Sequence, residues 1–299
     1  MSLAVLFPGQ GSIVPGSGKP WVDQPGWSVV AEVEAVADRP IAPLLLDAPA
    51  DDLARTDAAQ LATLTLSLVA WETLRDSLDE APSAFAGHSL GQITALIAAG
   101  AVGREEGIEL AVARADACRA SDDAHPGRLA ALLGATLEQA EAACAATEDC
   151  WIANDNAPVQ VVIGGTPEGL AAAVEAAREL GVRKAMPLAV GGAFHTPLLA
   201  PAVEQWRPTL ESTAFGPTDV PIVDNTDVEA RTAADGWTAL LARHLVEPVR
   251  WRDVQLVLRD DLGITEVIEV APAGTLAAMA KRTIGDVAIR TLDAPVAVG

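Results

Sequence analysis

The segment Ala86-Gly87-His88-Ser89-Leu90-Gly91 constrains the fold more than any other stretch of the chain. It fits G-x-S-x-G, in which a serine sits on a sharp turn between a strand and a helix. Such a turn has no room for side chains beside the serine, hence the flanking glycines. It exposes the serine oxygen and turns the following backbone N–H toward a developing oxyanion. Glycine and serine are common in loops, so the surroundings decide. Residues 83–86 read as a short strand, and residues 92–99 as an apolar helix ended by Gly100. Strand, elbow and helix in that order point to an α/β fold with Ser89 as candidate nucleophile.

The same alternation runs along the chain. Residues 3–7 read as a strand entering the turn Pro8-Gly9-Gln10-Gly11-Ser12, and residues 13–30, rich in Gly and Pro, as irregular. Helical patterns follow at 29–37, at 57–79 with Thr56 as N-cap, and at 104–120. The pattern changes near Gly127. Residues 129–133 read as a strand, and 137–146 as a helix with Thr136 and Gln139 forming a capping box. Residues 151–153 and 160–163 read as strands joined by a turn over 154–158. Residues 167–180 read as a helix closed by Gly181, and 183–190 as a strand. The order βαββαβ over 127–192 is that of a ferredoxin-like subdomain, inserted between a core of residues 1–126 and 193–299. After it, helices at 197–211, 236–245, 249–259 and 275–282 alternate with strands at 220–223 and 266–270. Strands and helices alternating on both sides of the insertion imply a mostly parallel sheet covered on both faces.

At 299 residues the chain fits one large domain or two modest ones. No uninterrupted apolar run reaches the roughly 20 residues of a membrane span, and the start lacks the basic and cleavage regions of a signal peptide. Cys118, Cys144 and Cys150 show no metal spacing, and an odd count suits buried thiols in a reducing compartment. The expected location is cytoplasmic. A formal charge of −21, from 41 acidic and 20 basic residues, disfavours nucleic acid and anionic membrane as partners.

A serine nucleophile needs a base, and there are four histidines. His88 adjoins the serine, so the elbow points its side chain elsewhere, into packing. His125 lies in a polar loop. His244 lies late in a helix, where a positive group favours the C-terminus without any catalytic role. His195 follows Gly191-Gly192-Ala193-Phe194 at the junction between the last subdomain strand and a helix, well placed to reach a cleft.

These pieces belong to a larger set: Phe7-Pro-Gly-Gln-Gly-Ser12, Thr56-Asp-Ala-Ala-Gln60, Gly87-His-Ser-Leu-Gly91, Arg114, Asn154-Asp-Asn-Ala-Pro-Val-Gln160, Gly192-Ala-Phe-His195, Pro248-Val-Arg-Trp251 and Glu269-Val-Ala-Pro-Ala-Gly274. Each is weak alone. In this order and spacing, across nearly the whole chain, they resemble the malonyl-CoA:acyl carrier protein transacylases and the related acyltransferase domains of polyketide synthases. The resemblance implies an α/β-hydrolase-like core with an inserted ferredoxin-like subdomain. It implies Ser89 as acyl acceptor, His195 as general base, and the backbone N–H groups of Gln10 and Leu90 as oxyanion hole. No third carboxylate is implied; a backbone carbonyl, that of Arg250, would orient the histidine. Arg114 would pair with the malonyl carboxylate, for which its planar fork is suited. Phe194, Asn154, Asn156 and Gln160 would line the cleft, although the two asparagines are as easily read as turn formers.

The implied reaction is ping-pong transfer of malonate from CoA to the phosphopantetheine of an acyl carrier protein, with no separate cofactor and no metal. Alternatives are a discrete polyketide acyltransferase with another acyl group, a thioester hydrolase using the same serine and histidine, and a non-catalytic carrier-binding subunit. The chain departs from the family pattern at Ile13, where Gln is usual, at Gln92, where Glu is usual, and at Leu61, where Pro is usual. A remodelled entrance is expected over 13–27, with Trp21 and Trp27 in its wall. Carrier proteins are acidic, so docking needs a local basic patch, for which Arg119, Arg128, Arg183, Lys184, Lys281 and Arg282 are candidates.

Overall fold

The computed structural model describes residues 2–295. Among the described residues, ten strands form two sheets. In chain order they are β1 (Leu3–Phe7), β2 (Ala84–Gly87), β3 (Arg128–Leu133), β4 (Cys150–Ala157), β5 (Gln160–Gly165), β6 (Lys184–Pro187), β7 (Ile222–Val223), β8 (Ala230–Arg231), β9 (Glu266–Val270) and β10 (Ala288–Leu292). The larger sheet has the order β10-β9-β1-β2-β7-β8 and is parallel except for the last pair. Its central strands are continuous apolar runs because both faces are covered. The two-residue period divides them cleanly: Val5, Phe7 and Phe85 face the helices Ser28–Ala37, Thr56–Arg75, Gly91–Ala99 and Arg104–Ala124, while Ala4, Leu6 and Ala86 face Trp251–Leu256 and Thr275–Thr283. Thr56–Arg75 is buried almost throughout, which is why its sequence is apolar on nearly every side.

The smaller sheet is antiparallel in the order β4-β5-β3-β6, the pairing expected of the βαββαβ pattern. Ala130, Leu132, Val161 and Ile163 pack against the helices Leu137–Cys144 and Pro167–Glu179. The alternate residues Leu129, Ala131 and Val162 turn toward the larger sheet and line a cleft. The capping box at Thr136 and Gln139 is formed, and Gly181 closes the second helix at φ 88°. The three cysteines are buried free thiols. No helix among the described residues is long and apolar enough to cross a membrane.

Three expectations are corrected, and some short elements were not foreseen. Asn154, Asp155 and Asn156 are strand residues, and the reversal falls at Pro158-Val159. Tertiary partners override their turn preference: the Asp155 amide donates to the Val249 carbonyl at 2.9 Å, and the Asp155 carboxylate pairs with Arg252 at 3.0 Å. Thr56 is the first helical residue rather than the cap, and its hydroxyl reaches Gln10 Oε1 at 3.2 Å. Trp21 is fully buried in the core, and neither it nor Trp27 lines the cleft. The short helices Ala42–Leu46 and Ala50–Leu53 and the edge strands β8 and β10 carry too little periodicity to be read from sequence.

Candidate active site

Phe7 pairs with Gly87 at the ends of β1 and β2, so the loops Pro8–Ser12 and His88–Gly91 leave the sheet side by side. This is the carboxyl edge of a parallel sheet, where α/β folds place ligands. Between these loops and the smaller sheet lies a cleft of about 320 Å³. Ser89 stands at its base at φ 53°, the left-handed strain of a nucleophile elbow. The flanking glycines are required: a Cβ on Gly87 would overlap the Gly91 carbonyl, and one on Gly91 the Phe7 carbonyl.

Ser89 Oγ lies 2.7 Å from His195 Nε2. The other ring nitrogen, Nδ1, lies 2.7 Å from the backbone carbonyl of His244. A carbonyl only accepts, so Nδ1 carries the proton and Nε2 offers its lone pair to the serine hydroxyl. The His195 amide also donates to the Leu245 carbonyl at 3.1 Å. The imidazole is therefore fixed by the C-terminal end of helix Trp237–Val246. This corrects the expectation for Arg250. Its carbonyl accepts from the Val254 amide at 3.0 Å as the first acceptor of the next helix, and its side chain pairs with Asp253 at 2.7 Å. His244 is corrected too. It is buried, and burial, then the nearby His195, push its pKa well below the usual value. It is thus neutral, and it serves His195 through its backbone, which no side-chain signal could have announced.

Burial, then the Arg114 cation, lowers the His195 pKa to about 3 against the opposing pull of the His244 carbonyl. His195 is a neutral base at physiological pH. His88 turns away as expected: its Nε2 lies 2.9 Å from Asn156 Oδ1, and its ring meets Trp251 edge-on at 5.4 Å. His125 is exposed.

Arg114 is 2% exposed. Nη1 donates to Gln60 Oε1, and Nη2 donates to Ser89 Oγ at 3.2 Å. The guanidinium stands 6.0 Å from the centroid of the Phe194 ring. Among the described residues it has no carboxylate partner. A buried guanidinium without a counter-charge is costly, and burial lowers its pKa. Phe194, Asn154, Gln160 and Gln10 line the same cleft. Gln160 Oε1 is buried with no partner among the described residues. The Gln10 and Leu90 amides likewise donate to no protein acceptor there.

Sequence reading missed Asn225 at this site. It follows β7, the parallel neighbour of β2, and its side chain holds the elbow. The signal was available in principle, since residues just past adjacent parallel strands converge. Gln92 binds Asn225 at 3.0 Å, and Ile13 packs into the core, so neither departure touches the serine–histidine pair.

The arrangement places a strained, buried serine in hydrogen-bond contact with a neutral histidine and a buried cation. Residues 6–297 match the family described as acyl transferase domain. The malonyl CoA-acyl carrier protein transacylase of Bacillus subtilis strain 168 is 32% identical over 287 residues, covering 94% of this chain and 90% of that protein. The acyl-carrier-protein S-malonyltransferase of Burkholderia pseudomallei 1710b superposes with a TM-score of 0.92 at 34% identity, over 99% of this chain and 97% of that one. A malonyl-transacylase solved in complex with its type II PKS acyl-carrier protein superposes with a TM-score of 0.93 at 29% identity, over 98% and 96%. The chain belongs to the acyl transferase domain family.

Proposed function

We propose that the protein transfers a malonyl group from coenzyme A to the phosphopantetheine thiol of an acyl carrier protein through an ester on Ser89. The observation that carries this reading is the buried, unpaired guanidinium of Arg114 at 3.2 Å from Ser89 Oγ. A hydrolase of neutral esters has no use for it. A carboxylated acyl group supplies the missing counter-charge as it brings its thioester to the serine.

In the first half-reaction Ser89 Oγ attacks the thioester carbonyl carbon while His195 Nε2 takes its proton. The oxyanion meets the amides of Gln10 and Leu90. The C–S bond breaks and the thiol leaves with the proton from His195. In the second, His195 deprotonates the pantetheine thiol, whose sulfur attacks the ester, and the proton returns to Ser89. Both substrates carry their own chemistry, so the reaction calls for no separate cofactor. Phe194 and Gln160 would border the acyl group, with Asn154 further along the wall. We assign residues 127–192 to an inserted subdomain that closes the cleft over a core of 1–126 and 193–299, acting in the cytoplasm.

The carrier would meet the rim of the cleft. Fourteen of the 20 Lys and Arg side chains are ion-paired. Arg119 is among them, held by Asp57 and Asp123. Apart from Arg114, the cations without a carboxylate partner among the described residues are Arg128, Arg183, Lys184, Lys281 and Arg282. They belong to β3, β6 and its lead-in, and the helix Thr275–Thr283, whose Thr275, Leu276 and Met279 line the cleft. On so acidic a protein, this rim is where an acidic carrier finds attraction.

Intact mass spectrometry tests the reading. Incubation with malonyl-CoA should add one malonyl group, absent from Ser89→Ala, and a holo carrier protein should discharge it. Free malonate without an adduct would replace the transferase by a hydrolase.

A further inference from the structure

Ser89 holds a left-handed backbone conformation that costs a non-glycine residue of order 1–3 kcal/mol and persists only where its surroundings enforce it. The enforcing group comes from a different strand. Asn225, 1% exposed just past β7, accepts the Ser89 backbone N–H on Oδ1 at 2.9 Å. Its Nδ2 donates to Gln92 Oε1 at 3.0 Å. The Ser89 N–H sets which way the asparagine amide faces, since turned over it would put an N–H against an N–H, and Gln92 Oε1 takes up the remaining donor. Gln92 Nε2 has no other partner among the described residues, so Gln92 serves Asn225 alone.

Asn225 is itself held. Its carbonyl accepts from the Arg250 amide at 3.0 Å. The turn that carries it is closed by Asp224, a wholly buried carboxylate that accepts the amides of Thr226, Asp227, Val228 and Glu229 at 2.8, 2.7, 3.2 and 3.1 Å, and Arg231 Nε at 3.0 Å. A rigid turn, an oriented amide and one bond to the strained residue form a continuous chain from β7 to the nucleophile.

We infer that Asn225, steadied by Gln92, is the positioning residue of the nucleophile: by engaging the Ser89 amide it locks the elbow and leaves the Leu90 amide as the elbow's donor to the oxyanion. The inference rests on the reading of Ser89 as nucleophile. Asn225 Nδ2 needs a side-chain oxygen at position 92, which Gln92 supplies as the usual Glu would.

An alkyl fluorophosphonate, which forms a P–O bond to an activated serine with loss of fluoride, reads this without reference to any acyl donor. Asn225→Ala should slow labelling of Ser89 by roughly 10- to 100-fold in folded protein, the cost of a small misplacement of a reacting group. Asn225→Asp keeps the acceptor, lets Gln92 present Nε2, and should label about tenfold faster than the alanine variant. Gln92→Met, which leaves the asparagine Nδ2 without its acceptor, should fall between alanine and wild type. Circular dichroism confirms folding at the labelling temperature. Wild-type labelling rates in folded Asn225→Ala, or equal slowing in the alanine and aspartate variants, would overturn the role of Asn225 alone. Wild-type protein that labels no faster than Ser89→Ala would overturn the nucleophile and this role with it.

Discussion

Arg114→Met tests the selection of the acyl group most directly. Methionine keeps most of the apolar stem and removes the charge and the fork of donors. In the native protein the guanidinium spends one bond on Gln60 and one on Ser89 Oγ at 3.2 Å. A substrate carboxylate would take up the free donors in charge-assisted hydrogen bonds of about 1.5–3 kcal/mol each. Allowing for the exchanged serine contact, the loss should be about 2–4 kcal/mol, or roughly 30- to 1,000-fold in kcat/KM for malonyl loading. Acetyl loading, which never used the fork, should stay within about threefold. The folded protein should not suffer: a buried cation without a counter-charge has been removed, so the unfolding free energy should hold or rise by about 1 kcal/mol. The assay is initial acylation by malonyl-CoA and acetyl-CoA in parallel, followed by intact mass, with urea unfolding alongside. Equal losses for the two donors would refute the pairing role, and a large loss of stability would refute the account of Arg114 as uncompensated charge.

Three further outcomes follow from the geometry. His88, His195 and His244 are all held below the usual histidine pKa of 6.5 by burial first. The unfolded chain therefore takes up protons first, and stability should fall with pH from about 6.5 downward, by up to about 1.4 kcal/mol per pH unit for each histidine. Urea midpoints between pH 7 and 5 that stay flat would contradict this, while Ser89 acylation should show no acid limb near 6.5 because His195 titrates at about 3. Gly91→Ala drives a methyl into the Phe7 carbonyl and should cost about 3 kcal/mol or more. Gly100→Ala, at φ 76° with open space around it, should cost only about 1 kcal/mol by thermal unfolding. Charge reversal by Lys281→Glu with Arg282→Glu should raise KM for the carrier protein by about tenfold or more at low salt, with a much smaller effect on loading from malonyl-CoA; equal effects would remove this rim from the docking surface.

The elbow, the parallel sheet and the βαββαβ insertion were legible because each writes a local periodicity: apolar runs for strands buried on both faces, and an apolar stripe for helices. That Ser89, His195 and Arg114 meet at one point was legible because each is a side chain within a recognisable segment. Arg250 was misread because the histidine is oriented by a backbone carbonyl, and every residue has one; only the end of helix Trp237–Val246 identifies it as that of His244. Asn154 and Asn156 were read ambiguously because asparagine in a turn and asparagine in a bulged strand look alike until Val249 and His88 supply the partners. Asn225 escaped for the same reason, its importance lying in contacts 136 and 133 residues away.

The carbonyl that orients His195 ends a helix, and the end of a helix carries about half a negative charge where a serine hydrolase triad places a whole one. Half a charge stabilises an imidazolium only partly, and Arg114 opposes it. A donor that brings its own carboxylate neutralises that opposition at the moment the proton must move. On the proposed reaction, a carboxylated acyl group would do more than fill a pocket: it would complete the electrostatics of the base, and a group without a carboxylate should be disfavoured in the proton transfer as well as in binding.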